Sequence, residues 1–176
     1  AAGGVDAFLL GSELRGLTAV RDAANGFPFV ECLCDLASEV RAVLGPATKI
    51  TYGADWSEYF GHHPADGSGD VYFHLDPLWA RADVDAVGID NYMPLADWRD
   101  EDRDGSNPDG FRGPYDAEAM RAAIHSGEGY DWYYASDADR ASRSRAPIAD
   151  GAYAKPWVFR YKDIHGWWSN AHYDRP

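Results

Sequence analysis

Three apolar runs in this chain end on residues able to do chemistry. "VDAFLLGSE" delivers Ser12 and Glu13, "KITYGADW" delivers Tyr52, Asp55 and Trp56, and "VDAVGIDNY" delivers Asp90, Asn91 and Tyr92. Cleavage of a glycosidic bond needs one carboxylic acid to protonate the leaving oxygen. It needs a second carboxylate about 5 to 5.5 Å away for retention, or about 6.5 to 9.5 Å away for inversion. Sugar rings are held by aromatic faces and by polar groups that bond their hydroxyls. Tyr52, Trp56, Tyr92 and Trp98 offer the first; Ser12, Asp55, His74, Asp90, Asn91 and Arg99 offer the second. The plainer alternative makes Glu13 the first solvated residue after a buried strand and the tryptophans part of the core.

Elements that would bring these groups together are visible in the hydrophobic pattern. Val5 to Leu10 reads as a buried strand, and Phe29 to Leu44 as a helix with Val30, Leu33, Ala37, Val40 and Leu44 on one face. Gly45-Pro46 ends that helix. Lys49 to Gly53 is the next strand, and Val71 to Trp79 leads into Val84 to Ile89 as a third. Strands alternating with helices at this spacing predict an α/β chain built on a parallel sheet. In a parallel barrel all strand C-termini open on one face, so the three polar strand ends would share a mouth.

The polar stretch from Leu95 to about Tyr115 is long for a loop inside a domain and is expected to be functional or disordered. Asp116 to His125 reads as a helix capped by Asp116, Tyr130 to Arg145 as another, and Pro156 to Trp168 as a third. The last carries an apparent stripe of Trp157, Tyr161, Ile164 and Trp168. A complete (β/α)₈ barrel takes about 250 residues. Residues 1–176 therefore read as a single domain fragment, a partial TIM-like barrel without the strands before residue 1 and after residue 176.

Charge narrows the partners. With Lys+Arg 16 against Asp+Glu 29 the formal net charge is −13, which repels phosphate backbones and argues against nucleic acid. Neutral glycans, cations and basic partners are left. No apolar run approaches the roughly 20 residues that cross a bilayer, so no membrane span is expected. Cys32 and Cys34 point apart on a helix and read as two small buried thiols that do not bridge each other.

Metal readings are weak. Asp100, Asp102 and Asp104 followed by Gly105 resemble the first half of a calcium loop, but Phe111 occupies the position of the bidentate glutamate. Calcium is thus a marginal candidate beside a solvated acidic loop, and no other cofactor is expected. His62-His63 and His172 read as surface histidines. Gly67 and Gly69 lack the context of a phosphate loop and read as turn residues.

The segments "FLLGSELRGLT", "ITYGADWSEYFGH", "FHLDPLWARADVDAVGIDNYMPLADWRD" and "KPWVFRYKDIHGWWSNAHYDRP" carry a resemblance. Together they are similar to the TIM-barrel-like domain of the large tail protein of gene transfer agents and related phages, a glycoside hydrolase-like, host-specificity family. The resemblance implies a tail location in a phage-like particle made in the bacterial cytoplasm. It also implies contact with polysaccharide or peptidoglycan of the recipient cell envelope and with other tail proteins. In barrel glycosidases of the broader clan the acid/base glutamate ends strand four, commonly after asparagine. Glu13 matches the glutamate, and Ser12 stands in place of the asparagine. The second carboxylate of that clan ends strand seven, which in the resembling family follows the block ending "WWSNAHYDRP". This stretch alone is therefore expected to be inactive by the two-carboxylate route. The alternative function is a non-catalytic glycan-binding or structural module of the tail tip.

Overall fold

The computed structural model describes residues 4–176. The chain divides into two compact units, Ala1–Asn91 with His172–Pro176, and Tyr92–Ala171.

In the first unit β1 (Ala7–Ser12), β2 (Lys49–Asp55) and β3 (Gly88–Asp90) lie side by side in chain order, all parallel. Parallel neighbours need a crossover. Helices α1 (Arg15–Thr18) and α2 (Pro28–Leu44) supply the first, and α3 (Asp76–Trp79) lies in the second. The fold is thus mixed α/β, with a parallel sheet, three-stranded and not closed among the described residues, consistent with part of a TIM-like barrel.

The central strand is the most deeply buried. Ile50, Tyr52 and Ala54 of β2 alternate on one face and are 0% exposed, as β-branched and aromatic residues do on a covered, pleated surface. Helix α2 begins with Pro28 in its first turn, where a missing N–H costs nothing. It buries Val30, Leu33 and Ala37, leaves Val40 and Leu44 half-buried, and ends at Gly45 with φ 76°. Arg41 secures this end by donating to the carbonyls of Gly45 (2.9 Å), Thr48 (2.7 Å) and Asp83 (2.8 Å) and pairing with Asp85. The Ile50 N–H and then Arg41 hold the Asp85 carboxyl well below the usual carboxylate range.

Strands β1 and β2 do not keep one register. Ala7, Phe8 and Leu9 face Lys49, Ile50 and Thr51, but Ser12 faces Gly53. Between the last two pairs β1 advances three residues while β2 advances two, so β1 carries an extra residue of the kind that re-aims side chains.

Several expectations for this unit need correction. The apolar run of β1 is not buried: Val5, Phe8 and Leu9 are exposed, because β1 has only β2 beside it among the described residues. The third strand is confined to Gly88–Asp90, since Asp76–Trp79 turns into helix with Pro77 in its first turn. Cys32 is exposed and Cys34 half-buried, both free. The histidines are not simple surface features. His62 packs edge-on to Phe27, and His172 stacks on Phe73 at 4.2 Å while its Nδ1 lies 2.8 Å from Asp76. The final residues also join the fold, with Val71 and Arg175 bridged and the Phe73 N–H donating to Asp174 at 2.8 Å.

The second unit is built from short pieces: a 3₁₀ turn (Asp100–Asp104), α4 (Ala117–Ala122) continuing into a 3₁₀ turn (Ala123–His125), and β4 (Trp132–Tyr133). Then come α5 (Asp137–Ser142), β5 (Ala146–Pro147), a 3₁₀ turn (Pro156–Phe159) and α6 (Ile164–Ser169). Asp116 caps α4 by accepting the Ala119 N–H, as its position predicts. The stretch Tyr130 to Arg145 is not one helix. Trp132–Tyr133 pairs antiparallel with Ala146–Pro147, Ser136 caps α5, and Arg143 at φ 55° ends it. Pro156 to Trp168 is also interrupted, because Asp163 accepts the Gly166 N–H at 2.7 Å and starts α6 afresh. Trp157, Val158 and Trp167 are buried, and Trp168 is exposed.

The polar stretch after Leu95 is ordered by ion pairs. Asp102, 0% exposed, accepts from Arg143 (2.7 and 2.5 Å), Asn107 (2.8 Å) and the Arg99 N–H (2.9 Å). Arg143 above all keeps its carboxyl ionised well below the usual range. Arg145 clamps Asp109 at 2.7 Å through each nitrogen and lies over the Trp132 ring at 3.9 Å. No helix among the described residues is long and apolar enough to cross a membrane.

Candidate functional site

The ends of the three parallel strands meet at one hydrogen bond. Ser12 Oγ, at the end of β1, donates to Asp90 Oδ2, at the end of β3, over 2.7 Å. Two strands separated by a third can touch only if the middle one offers no obstacle. Gly53 of β2 pairs with both Ser12 and Gly88, and a Cβ on it would stand 3.2 Å from Asp90 Oδ2 and 3.4 Å from Ser12 Oγ. The absent side chain is what lets serine and aspartate join across the sheet. Gly88 has its own reason, since a Cβ there would come within 2.5 Å of the Tyr52 carbonyl.

Glu13 follows directly, exposed, with φ 55°. A non-glycine residue in the left-handed region is strained, and surrounding contacts must over-determine it. Two N–H groups do so. The Glu13 N–H donates to the Gly53 carbonyl at 2.8 Å, and the Leu14 N–H donates to the Tyr52 hydroxyl at 2.8 Å. Chain direction turns sharply at Glu13, which leaves the strand and enters α1.

Beneath this corner lies a buried polar group that sequence reasoning missed. Glu58 is 1% exposed and accepts from the Thr18 hydroxyl, from the Tyr52 hydroxyl (3.0 Å to Oε1) and from the Asp55 N–H (3.1 Å to Oε2). Burial raises its carboxyl pKa against the pull of these donors. Burial and then the Glu58 charge push the Tyr52 phenol up. The spacing Asp55-Trp56-Ser57-Glu58 was the available signal, because acid-x-x-Glu after a strand is the pattern of a capping box. Here Glu58 returns to the Asp55 N–H while Asp55 Oδ1 accepts from the Ser57 N–H at 2.7 Å.

These contacts reassign several predicted residues. Tyr52 is 0% exposed, so its ring has no face for a sugar, and its hydroxyl supports the Glu13 corner instead. Asp55 is drawn into its own turn by Ser57. His74 is buried against Phe27 at 5.3 Å, with neither ring nitrogen in hydrogen-bond geometry; burial depresses its pKa to about 3, so it stays neutral. Trp56 is half-buried on the turn after β2, and Asn91 is exposed beyond β3. Ser12, Glu13 and Asp90 are therefore the predicted groups gathered at the strand ends.

Tyr92, Trp98 and Arg99 belong to the second unit. Tyr92 is exposed and Trp98 half-buried. Arg99 is spent on structure: it pairs with Asp97 and donates to the carbonyls of Arg140 (2.5 Å) and Ala141 (3.1 Å) in the last turn of α5. Asp100, Asp102 and Asp104 do not converge, since Asp102 turns inward to Arg143 while Asp100 pairs with Arg103 and Asp104 accepts the Ser106 N–H. Among the described residues no three His, Cys, Asp or Glu side chains are grouped to hold a metal ion.

At the strand ends an exposed glutamate, Glu13, follows directly in the chain on a serine–aspartate pair. A carboxyl group is a residue type that can move a proton to or from a hydroxyl or ether oxygen within its hydrogen-bond reach. No curated protein matches the chain. A family model described as the GTA TIM-barrel-like domain matches residues 1–176, so the chain belongs to that family.

Proposed function

We propose that this member of the GTA TIM-barrel-like family engages a cell-envelope polysaccharide or peptidoglycan at the ends of β1 to β3, with Glu13 as general acid/base. The observation that carries the reading is the Glu13 corner. A strained backbone, held by Gly53 and by Tyr52 over buried Glu58, fixes an exposed glutamate at the C-terminal end of β1 in a parallel sheet. Parallel α/β barrels place their chemistry at that end. Asp90, oriented by Ser12, bonds substrate hydroxyls. An acidic protein of net charge −13 suits a neutral or cationic glycan better than a phosphorylated one. The setting is the tail of a phage-like particle, with other tail proteins as neighbours.

A second reading, a non-catalytic glycan-binding or structural module, draws on one observation. Two strand-end carboxylates are engaged within the protein, Asp55 by Ser57 and Asp90 by Ser12. One pair of assays separates the readings. Hydrolysis predicts release of reducing ends from envelope polysaccharide by the protein in its full-length setting, and a fall of about a hundredfold or more in Glu13→Gln. Glycan affinity without hydrolysis, unchanged in Glu13→Gln, selects the binding module. Absence of both activity and affinity removes the glycan reading.

A further inference from the structure

The second unit holds a cavity of about 240 Å³ that the strand-end site does not use. Its walls include Leu95, Phe111, Ala119, Ala122 and Trp132, and Lys162 stands among them. Lys162 is 6% exposed. Its Nζ donates to the Pro94 carbonyl at 2.7 Å, and no carboxylate lies within 4.0 Å of it among the described residues. A buried amine with a single acceptor keeps its remaining valences for whatever enters. Gly127 adds room beside it, since a Cβ there would stand 4.0 Å from Nζ.

We propose that this cavity binds a small molecule with a compact apolar body and an aldehyde or ketone group, which Lys162 captures as an imine. The charges on the wall select a neutral electrophile over an anion. Asp97, Asp109, Glu128 and Asp131 all line the cavity. Arg145 pairs with Asp97 and Asp109, and Arg140 with Glu128, while Asp131 accepts the Gly127 N–H at 2.8 Å. Four acids against one base, Lys162, line the cavity, so an incoming carboxylate would meet more negative groups than positive ones.

In the reaction the Nζ lone pair attacks the carbonyl carbon, and the carbonyl oxygen takes up a proton. The carbinolamine then loses water, the second nitrogen proton leaves, and C=N forms. Amine and carbonyl become imine and water with no redox partner. The first nitrogen proton is the one the carbonyl oxygen takes up and the second leaves with the hydroxyl as water, so the steps balance without an outside acid. Burial pushes the Lys162 amine down to about 8, so free base is present at neutral pH.

The chain contains three lysines, Lys49, Lys155 and Lys162, so the test can be read by mass. The protein is incubated at pH 7.5 with benzaldehyde and cyanoborohydride, and adducts are mapped by peptide mass spectrometry. Lys162 is expected to label at least about tenfold faster than Lys49 or Lys155, because the cavity gathers the aldehyde beside its amine and burial favours the uncharged form that attacks. Benzyl alcohol, which fills the same space without reacting, should slow Lys162 alone, and Lys162→Arg should leave only slow labelling. Equal or slower labelling of Lys162 overturns the proposal. So does fast labelling that benzyl alcohol does not slow, which would make Lys162 a reactive amine without a ligand pocket.

Discussion

Replacing Tyr52 by phenylalanine removes one oxygen from the centre of the Glu13 corner. That hydroxyl accepts the Leu14 N–H at 2.8 Å and donates to Glu58 Oε1 at 3.0 Å. Each hydrogen bond contributes about 1 kcal/mol, and a buried partner left without its bond costs about 1 to 3 kcal/mol. Glu58 retains Thr18 and the Asp55 N–H, so the heavier share falls on Leu14. The sum is a loss of about 2 to 4 kcal/mol, equivalent to roughly 5 to 15 °C in Tm for a chain of this size. Urea titration followed by circular dichroism measures the loss. Amide exchange at Glu13 and Leu14 shows whether it is local, and both amides should exchange faster than those of β2. A loss below about 0.5 kcal/mol with unchanged exchange would mean that Tyr52 does not hold the corner and that the left-handed Glu13 is secured elsewhere.

Other consequences can be measured on the same protein. Glu13→Gly should be as stable as wild type or up to about 1 kcal/mol more stable, because glycine relieves the left-handed strain, whereas Glu13→Ala keeps it; thermal melts of the pair decide this. Gly88→Ala should cost about 1 to 3 kcal/mol by driving a methyl into the Tyr52 carbonyl, and more than Gly53→Ala, where side-chain atoms can give way; denaturant midpoints rank the two. Lys162 binds its proton less tightly folded than unfolded, so its ammonium costs stability below about pH 8, and the cost is relieved as pH rises toward 10.5. Lys162→Met should therefore be about 2 kcal/mol more stable than wild type at pH 7, the roughly 3 kcal/mol penalty less one hydrogen bond. Its advantage should vanish by about pH 10.5, and an advantage independent of pH would show that charge is not its cause.

The parallel α/β core was legible because its signals are local and redundant. Val30, Leu33 and Ala37 recur at helical spacing, and Gly45 ends the helix they define. The second unit was not legible in the same way. Trp157, Tyr161, Ile164 and Trp168 fit a helical stripe, but Asp163 competes for the backbone as a cap, and in α6 it is Trp167 that is buried while Trp168 is exposed. Trp132 and Tyr133 form a strand whose antiparallel partner, beyond α5, is only Ala146–Pro147, too short to leave a period. The placement of Ser12, Glu13 and Asp90 at the strand ends was legible from the apolar runs before them. Tyr52 was assigned the wrong part, since sequence does not say which side of a strand is covered. Glu58 was passed over because a glutamate in a turn normally faces water, and only the three donors around it explain its burial.

The extra residue in β1 makes the strand-end site a matter of parity. Had the pairing of Leu9 with Thr51 simply continued, residue 11 would stand opposite Gly53 and residue 12 opposite Ala54. Gly11 would then occupy the place beside Asp90 with no hydroxyl to offer, and Ser12 would be turned toward the side where Ala54 is buried. One residue added or removed between Leu9 and Ser12 acts as a reading-frame shift written in space, changing which side chain reaches the mouth while leaving every residue type intact. Strand ends of related chains should accordingly be compared by counting from the far side of this irregularity, because a gap of one there exchanges the face that carries the Ser12 hydroxyl for the covered one.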